Sequence, residues 1–190
     1  MIGGDGFVGK TLKHLKKILI HKYWVAHYCN MCGLYKQGFL HDMSKFSPTE
    51  FGESIKYYVG ISSPIDEATK HKGYSDAWMH HKGRNKHHSS YWVNIFYGKV
   101  IPIKMPWKYL LELICDNLGA SHAYNMDKFS VQKAYDWWQN ARQYELMHEH
   151  TKKMISIIYD KMLQNGIDET LKDKKLLNNL KFIYEEKEED

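Results

Sequence analysis

His41-Asp42-Met43-Ser44-Lys45 sets an imidazole and a carboxylate side by side, with an amine three residues further on. A divalent first-row metal favours such mixed nitrogen and oxygen donors, and it does chemistry when coordination positions stay open for water and substrate. Adjacent side chains on a helix diverge by about 100°, so the doublet grips one ion only when other helices complete the shell. Candidates for that shell exist. His21 lies upstream, and His80-His81 and His87-His88 lie downstream with Arg84 and Asn85 between them. Glu112 and Asp116, four residues apart, share one helix face. Lys45 is placed to meet an anionic group as a point charge, and the planar guanidinium of Arg84 suits an oxyanion. Lys45, Arg84 and Glu112 are therefore the candidate catalytic side chains.

Two other strings match known chemistry by letter and are set aside. Gly4-Asp5-Gly6-Phe7-Val8-Gly9-Lys10-Thr11 satisfies the P-loop pattern, but that loop needs a preceding strand to aim it, and only Met1, Ile2 and Gly3 come before. Cys29-Asn30-Met31-Cys32 lacks the second pair that a structural zinc requires and the βαβ setting that redox chemistry requires. These two cysteines read as small core positions on a helix. With Cys115 they make an odd number, which argues against a disulfide framework.

The order of a first histidine, a His-Asp doublet, histidine pairs and a distant aspartate resembles the ligand order of the HD-domain superfamily. That resemblance implies an all-helical domain in which His21, His41, Asp42 and Asp116 hold metal, with His27 an alternative to His21. Two-metal members use further histidines between the doublet and the last aspartate. His81 and His87 are the candidates here, with His80 and His88 left open. The expected cofactor is a divalent metal (Mn, Fe, Co, Ni, Zn or Mg), one or two per chain. The strings at 41–51, Trp78-Met79-His80-His81, Arg84 to His88, Tyr91-Trp92, Met105-Pro106 and Glu112 to Asp116 resemble, more closely, a bacterial and phage family of unknown function over roughly residues 10 to 150. The superfamily implies a metal-dependent phosphohydrolase acting on a nucleotide or other small phosphorylated compound. The alternatives are a non-catalytic metal-containing binding or regulatory module and a di-iron HD-type oxygenase.

The elements that must position these residues read as all-α, an HD-domain-like helical bundle. Leu12, Leu15, Leu19, Tyr23 and Ala26 recur at helical spacing and predict a helix over 11–35. A short helix over 39–45 carries the doublet. Ser47-Pro48 with Glu50 three residues after the cap starts the next helix, which stops near Gly60. Residues 60–73 read as a loop, 74–81 and 87–97 as helical, and 98–106 as a connector. Helices follow over about 107–122, 130–145, 148–165 and 168–184. The division is a glycine-rich leader over 1–10, a helical domain over 11–165, and a C-terminal helix with an acidic tail over 166–190. His148 and His150 read as part of an exposed helix face.

Composition bounds the rest. The chain has 190 residues, 43% of them hydrophobic, enough for one domain with a real core. Twelve histidines are the oddity and raise the expectation of metal binding. The formal charge of +5 permits a small anionic, phosphorylated substrate or a nucleic acid without requiring either, and the enzyme reading is preferred to the nucleic-acid one. No apolar run approaches the ~20 residues of a membrane span. No membrane partner is expected, and the cytoplasm is the expected location.

Overall fold

The computed structural model describes residues 6–186. They form ten α-helices and one short hairpin: α1 (Phe7–Met31), α2 (Tyr35–Leu40), α3 (Pro48–Lys56), α4 (Pro64–Lys72), α5 (Asp76–Lys82), β1 (Val93–Phe96), β2 (Lys99–Pro102), α6 (Trp107–Asn125), α7 (Val131–Ala141), α8 (Glu149–Asn165), α9 (Ile167–Lys172) and α10 (Lys174–Glu185). The all-α class holds. Helix α6 is the central rod, with Leu110, Leu111, Leu113, Ile114, Cys115 and Leu118 all buried. Around it pack Val25 and Tyr28 of α1, Trp138 of α7, Ile155, Ile158 and Tyr159 of α8, and Leu171, Leu177 and Tyr184 of α9 and α10. The last two helices therefore share one core with the rest. Tyr184 pins them, its hydroxyl donating to the Met105 carbonyl (2.6 Å) and accepting from Thr151 (2.8 Å).

Helices α1 and α6 approach unusually closely. A Cβ on Gly119 would lie 2.5 Å from the Val25 Cγ2 and 3.0 Å from the Val25 backbone nitrogen, so only glycine fits at this crossing. The contact sets the spacing between His21 on α1 and Asp116 on α6. Helices α3, α4 and α5 form a smaller layer that meets α1 through the α3 end, where Phe51 and Tyr58 pack on His14. Glu53 of α3 ties that layer together, accepting hydrogen bonds from the Ser75 hydroxyl (2.6 Å) and the Ala77 amide (2.7 Å) at the start of α5 and pairing with Lys72 (2.5 Å).

Several expectations need correction. Helix α1 begins at Phe7 and ends at Met31, so it starts before residue 11 and does not reach 35. Gly33, in the left-handed region at φ 78, ends it in the usual way. Of the P-loop string, Gly4 and Asp5 lie outside the described residues, and Lys10 and Thr11 sit inside the helix. The helix expected over 39–45 is instead α2, which stops at Leu40, and a separate 3-10 turn at Met43–Phe46. Residues 60–73 are not a loop: Ser63-Pro64 starts α4 just as Ser47-Pro48 starts α3, with Asp66 and Glu67 in the first turn and Lys70 to Lys72 in the last. Residues 87–97 are not a helix. They form a 3-10 turn (Ser89–Trp92) and β1, which turns back at Tyr97-Gly98, both at positive φ, into the antiparallel partner β2. The helix expected over 168–184 is split, because Asp173 caps α10 through the Leu176 amide. His148 caps α8, and the His150 ring packs against Tyr184 rather than standing on an exposed face.

Two outcomes follow. Gly119→Ala is expected to destabilise the fold by about 1–3 kcal/mol in denaturant unfolding, through overpacking at the α1–α6 crossing. A change below about 0.5 kcal/mol would mean that the crossing is not tight. Glu53 gives a pH signature. Burial opposes its charge, yet Lys72, Ser75 and the Ala77 amide hold its carboxyl down to about 2, against 4.5 ordinarily. Its contribution is therefore full above the ordinary value and lost as pH falls toward about 2. Glu53→Gln should lower the melting temperature at neutral pH and converge on the parent in acid. A gap that persists unchanged in acid would contradict this.

Candidate metal centre

The doublet lies off the helix that precedes it. Helix α2 ends at Leu40, His41 is extended (φ −50, ψ 127), and Asp42 takes the left-handed conformation (φ 53, ψ 27). Aspartate tolerates that region better than most residues. Lys22 of α1 holds the junction from the other side, donating to the carbonyls of Phe39 (2.7 Å) and His41 (2.8 Å). The turn that follows brings the Lys45 ammonium to 2.6 Å from Asp42 Oδ2. The two side chains thus diverge by a backbone kink, and both point into the protein.

Each oxygen of Asp42 faces a different set of imidazoles. Oδ2 lies 3.3 Å from His41 Nε2 and 3.7 Å from His21 Nε2, and both of those nitrogens lie 3.1 Å from Asp116 Oδ1. Oδ1 lies 3.3 Å from His81 Nε2 and 3.5 Å from His87 Nε2, and His81 Nε2 is 2.8 Å from His88 Nε2. Two groups can therefore hold a metal ion: His21, His41, Asp42 and Asp116, and Asp42, His81, His87 and His88. A third grouping, His41, His87 and Glu112, uses the opposite ring nitrogens. The donor set fits a divalent cation on a direct observation. His21 Nε2, Asp42 Oδ1 and His87 Nε2 are buried and make no well-formed hydrogen bond among the described residues. Buried polar atoms are normally satisfied, so converging unsatisfied ones are what a cation site leaves.

Two glutamates orient the rings. Glu112 Oε1 accepts from Nδ1 of both His41 (3.1 Å) and His87 (3.3 Å), and Glu50 Oε2 accepts from Nδ1 of His81 (2.7 Å). A carboxylate that accepts at Nδ1 places the ring proton there and leaves the Nε2 lone pair free to bind metal. Ser44 and Asn85 add polar contacts to the His81 ring, at 3.2 and 3.1 Å. Glu50's second oxygen accepts from His80 (2.6 Å), which is thereby a support rather than a member of either group.

Burial opposes every charge here, and mutual attraction overrides it at most positions. His41 is held well above the ordinary histidine value because Asp42, Asp116 and Glu112 outweigh its burial. Asp42 is held well below the carboxylate range because His41, Lys45 and His81 do the same for it. Asp116 follows, with His21 and His41 overriding burial. His88 is the exception: burial, with His87 beside it, pushes it well down and keeps it neutral.

The groups open onto a cavity of about 850 Å³ whose wall includes His21, Lys45, His81, His88 and Asp116. Among the expected residues, His21, His41, Asp42, His81, His87 and Asp116 come together. His27 does not join them; it stacks among Tyr23, Trp24 and Tyr28. Lys45 reaches the cavity, paired with Asp42. Glu112 sits behind the rings, where it orients them. Arg84 is exposed, donates to the His80 carbonyl (3.1 Å), and is not part of the cavity wall. Sequence reasoning missed Glu50, which was read only as a helix-start signal, and it left His88 unassigned. The Cys29 and Cys32 reading as core positions needs one addition: Cys32 Sγ lies 3.8 Å from Cys115 Sγ.

The sequence profile of a family of unknown function, DUF5662, matches residues 10–161, a span that contains every residue of both groups. The chain belongs to DUF5662. No curated protein and no solved structure matches it. For this DUF5662 member, Glu112→Gln is expected to lower divalent-metal affinity by about 10- to 100-fold, as loss of a ring-orienting carboxylate does. Competition against a chromophoric chelator measures this, and unchanged affinity would remove Glu112 from the site.

Proposed function

We propose that the protein is a metal-dependent phosphohydrolase with a two-metal centre of the HD kind, acting on a nucleotide or another small phosphorylated compound. The observation that carries the reading is the sharing of Asp42, whose two oxygens face two separate imidazole sets, of which His21, His81 and His88 line the cavity. His21, His41, Asp42 and Asp116 would hold one ion, and Asp42, His81, His87 and His88 the other. Divalent ions bound there supply Lewis acidity toward a phosphoryl oxygen and lower the pKa of a bound water.

The protein's own residues do the rest. Glu112 and Glu50 engage Nδ1 of His41, His87 and His81, which would leave their Nε2 atoms free to hold the ions. Lys45, fixed by its pair with Asp42, faces the cavity and offsets negative charge on the phosphoryl group. The cavity falls in the size range of small-molecule sites. The order of ligands along the chain, which resembles that of the HD superfamily, supports the same reading.

Protein loaded separately with Mn, Co, Ni, Mg or Fe, offered a panel of phosphorylated compounds, should release phosphate, and Asp42→Asn should reduce turnover by at least about 100-fold. Absence of turnover with every metal, in protein that demonstrably holds metal, would overturn the hydrolase. Oxygen consumption with about two iron ions per chain would point instead to the oxygenase chemistry of di-iron HD proteins.

A further inference from the structure

The cavity extends well beyond the metal groups along α1. His14 lies on the same face as His21, two turns earlier, which the helical rise converts to about 10 Å. Its side chain is buried, at 7% exposure, and its Nδ1 has no hydrogen-bond partner among the described residues. The ring is held between Phe51 (5.6 Å) and Tyr58 (5.1 Å). Burial, with Lys45 nearby, pushes its pKa down to about 4, so at neutral pH it is an uncharged donor and acceptor. Lys17 sits beside it, its ammonium tied to the Ala123 carbonyl (2.8 Å) and 4.8 Å from the centre of the Tyr124 ring. Asp66 and Tyr124 stand at the more exposed rim of this end.

This lining discriminates between classes of guest. A second phosphate would meet the Asp66 carboxylate and a neutral imidazole rather than a cluster of free cations. A purely apolar group would leave His14 Nδ1 without a partner, which a buried site penalises. A ring bearing several hydroxyls satisfies both donors and acceptors and packs its C–H faces on the aromatic rings. We propose that this end of the cavity binds the hydroxyl-bearing, non-reacting moiety of the substrate, a sugar or nucleoside ring, with His14 as the specificity-determining contact. The inference rests on the phosphohydrolase reading for its reacting end, and it identifies the substrates as phosphomonoesters of sugars or nucleosides.

Equilibrium binding separates the inference from the reading it rests on. Calorimetry on Mn-loaded protein would compare inorganic phosphate with ribose 5-phosphate and with nucleoside monophosphates; the last pair tells a bare sugar from a nucleoside. The expected result is at least about tenfold tighter binding of one hydroxyl-bearing ester than of inorganic phosphate. His14→Phe should erase that advantage and leave inorganic phosphate binding unchanged, which also certifies the fold and the metal site. His14→Gln should retain part of it, and Tyr58→Phe should weaken the same ligands. Equal affinity for all ligands in the parent protein, or a His14→Phe loss that falls equally on inorganic phosphate, would overturn the subsite. If no ester is hydrolysed while the binding difference and its loss in His14→Phe are observed, the hydrolase fails and the subsite stands.

Discussion

The constraint on which the rest depends is the position of one carboxylate. Asp42 is 3% exposed, carries its charge, and lies among four imidazoles and an ammonium. A charge so placed is costly unless every neighbour is arranged around it, and that arrangement draws on most of the fold. Helix α1 supplies His21 and, through Lys22, holds the segment after α2 that carries the doublet. Helix α6 supplies Asp116 and Glu112 from one face. Helix α3 supplies Glu50, and α5 supplies His81. The turn after α5 ends in His87 and His88, and Asn85 within it bonds back to Ser44 beside the doublet (2.8 Å).

The two layers of helices divide the labour. The layer built on α6 is an apolar core that includes the C-terminal helices. The smaller layer of α3 to α5 is held to it by polar contacts through the histidines, and within itself by Glu53. A polar network of this kind contributes little net stability, and the unsatisfied nitrogens and oxygen within it cost some. Such a departure from ordinary packing is of the kind found at functional or strained sites. The tight α1–α6 crossing at Gly119 is the stiff element against which the centre is set.

Much of the site was legible because its residue types are rare and ordered along the chain: the doublet, the histidine pairs, and carboxylates at helical spacing. The geometry was not. Periodicity assigns helix or loop, but it does not reveal that Asp42 would sit at positive φ and turn the doublet off the helix. Glu50 satisfied a local rule for a helix start, and Ser47 does cap α3, yet the Glu50 carboxylate goes to His80 and His81 across the interface. Tertiary demand overrode a local signal. Helix α4 shows the reverse case, since Ser63-Pro64 carried the same start signal as Ser47-Pro48 and its polar surface masked it. The hairpin was hidden by its turn, where a tyrosine occupies a left-handed position that Asn or Gly usually takes. His27 and His21 were inseparable by spacing alone; packing of α1 on α6 separates them.

The proposed sharing of Asp42 between two ions is tested by a crystal structure of metal-loaded protein with anomalous scattering collected at the metal edge. Two anomalous peaks are expected, about 3.5–4 Å apart, one on each side of the Asp42 carboxylate. The first would be bound by His21, His41 and Asp116, and the second by His81, His87 and His88. A single peak held without Asp42, or two peaks elsewhere in the molecule, would contradict it.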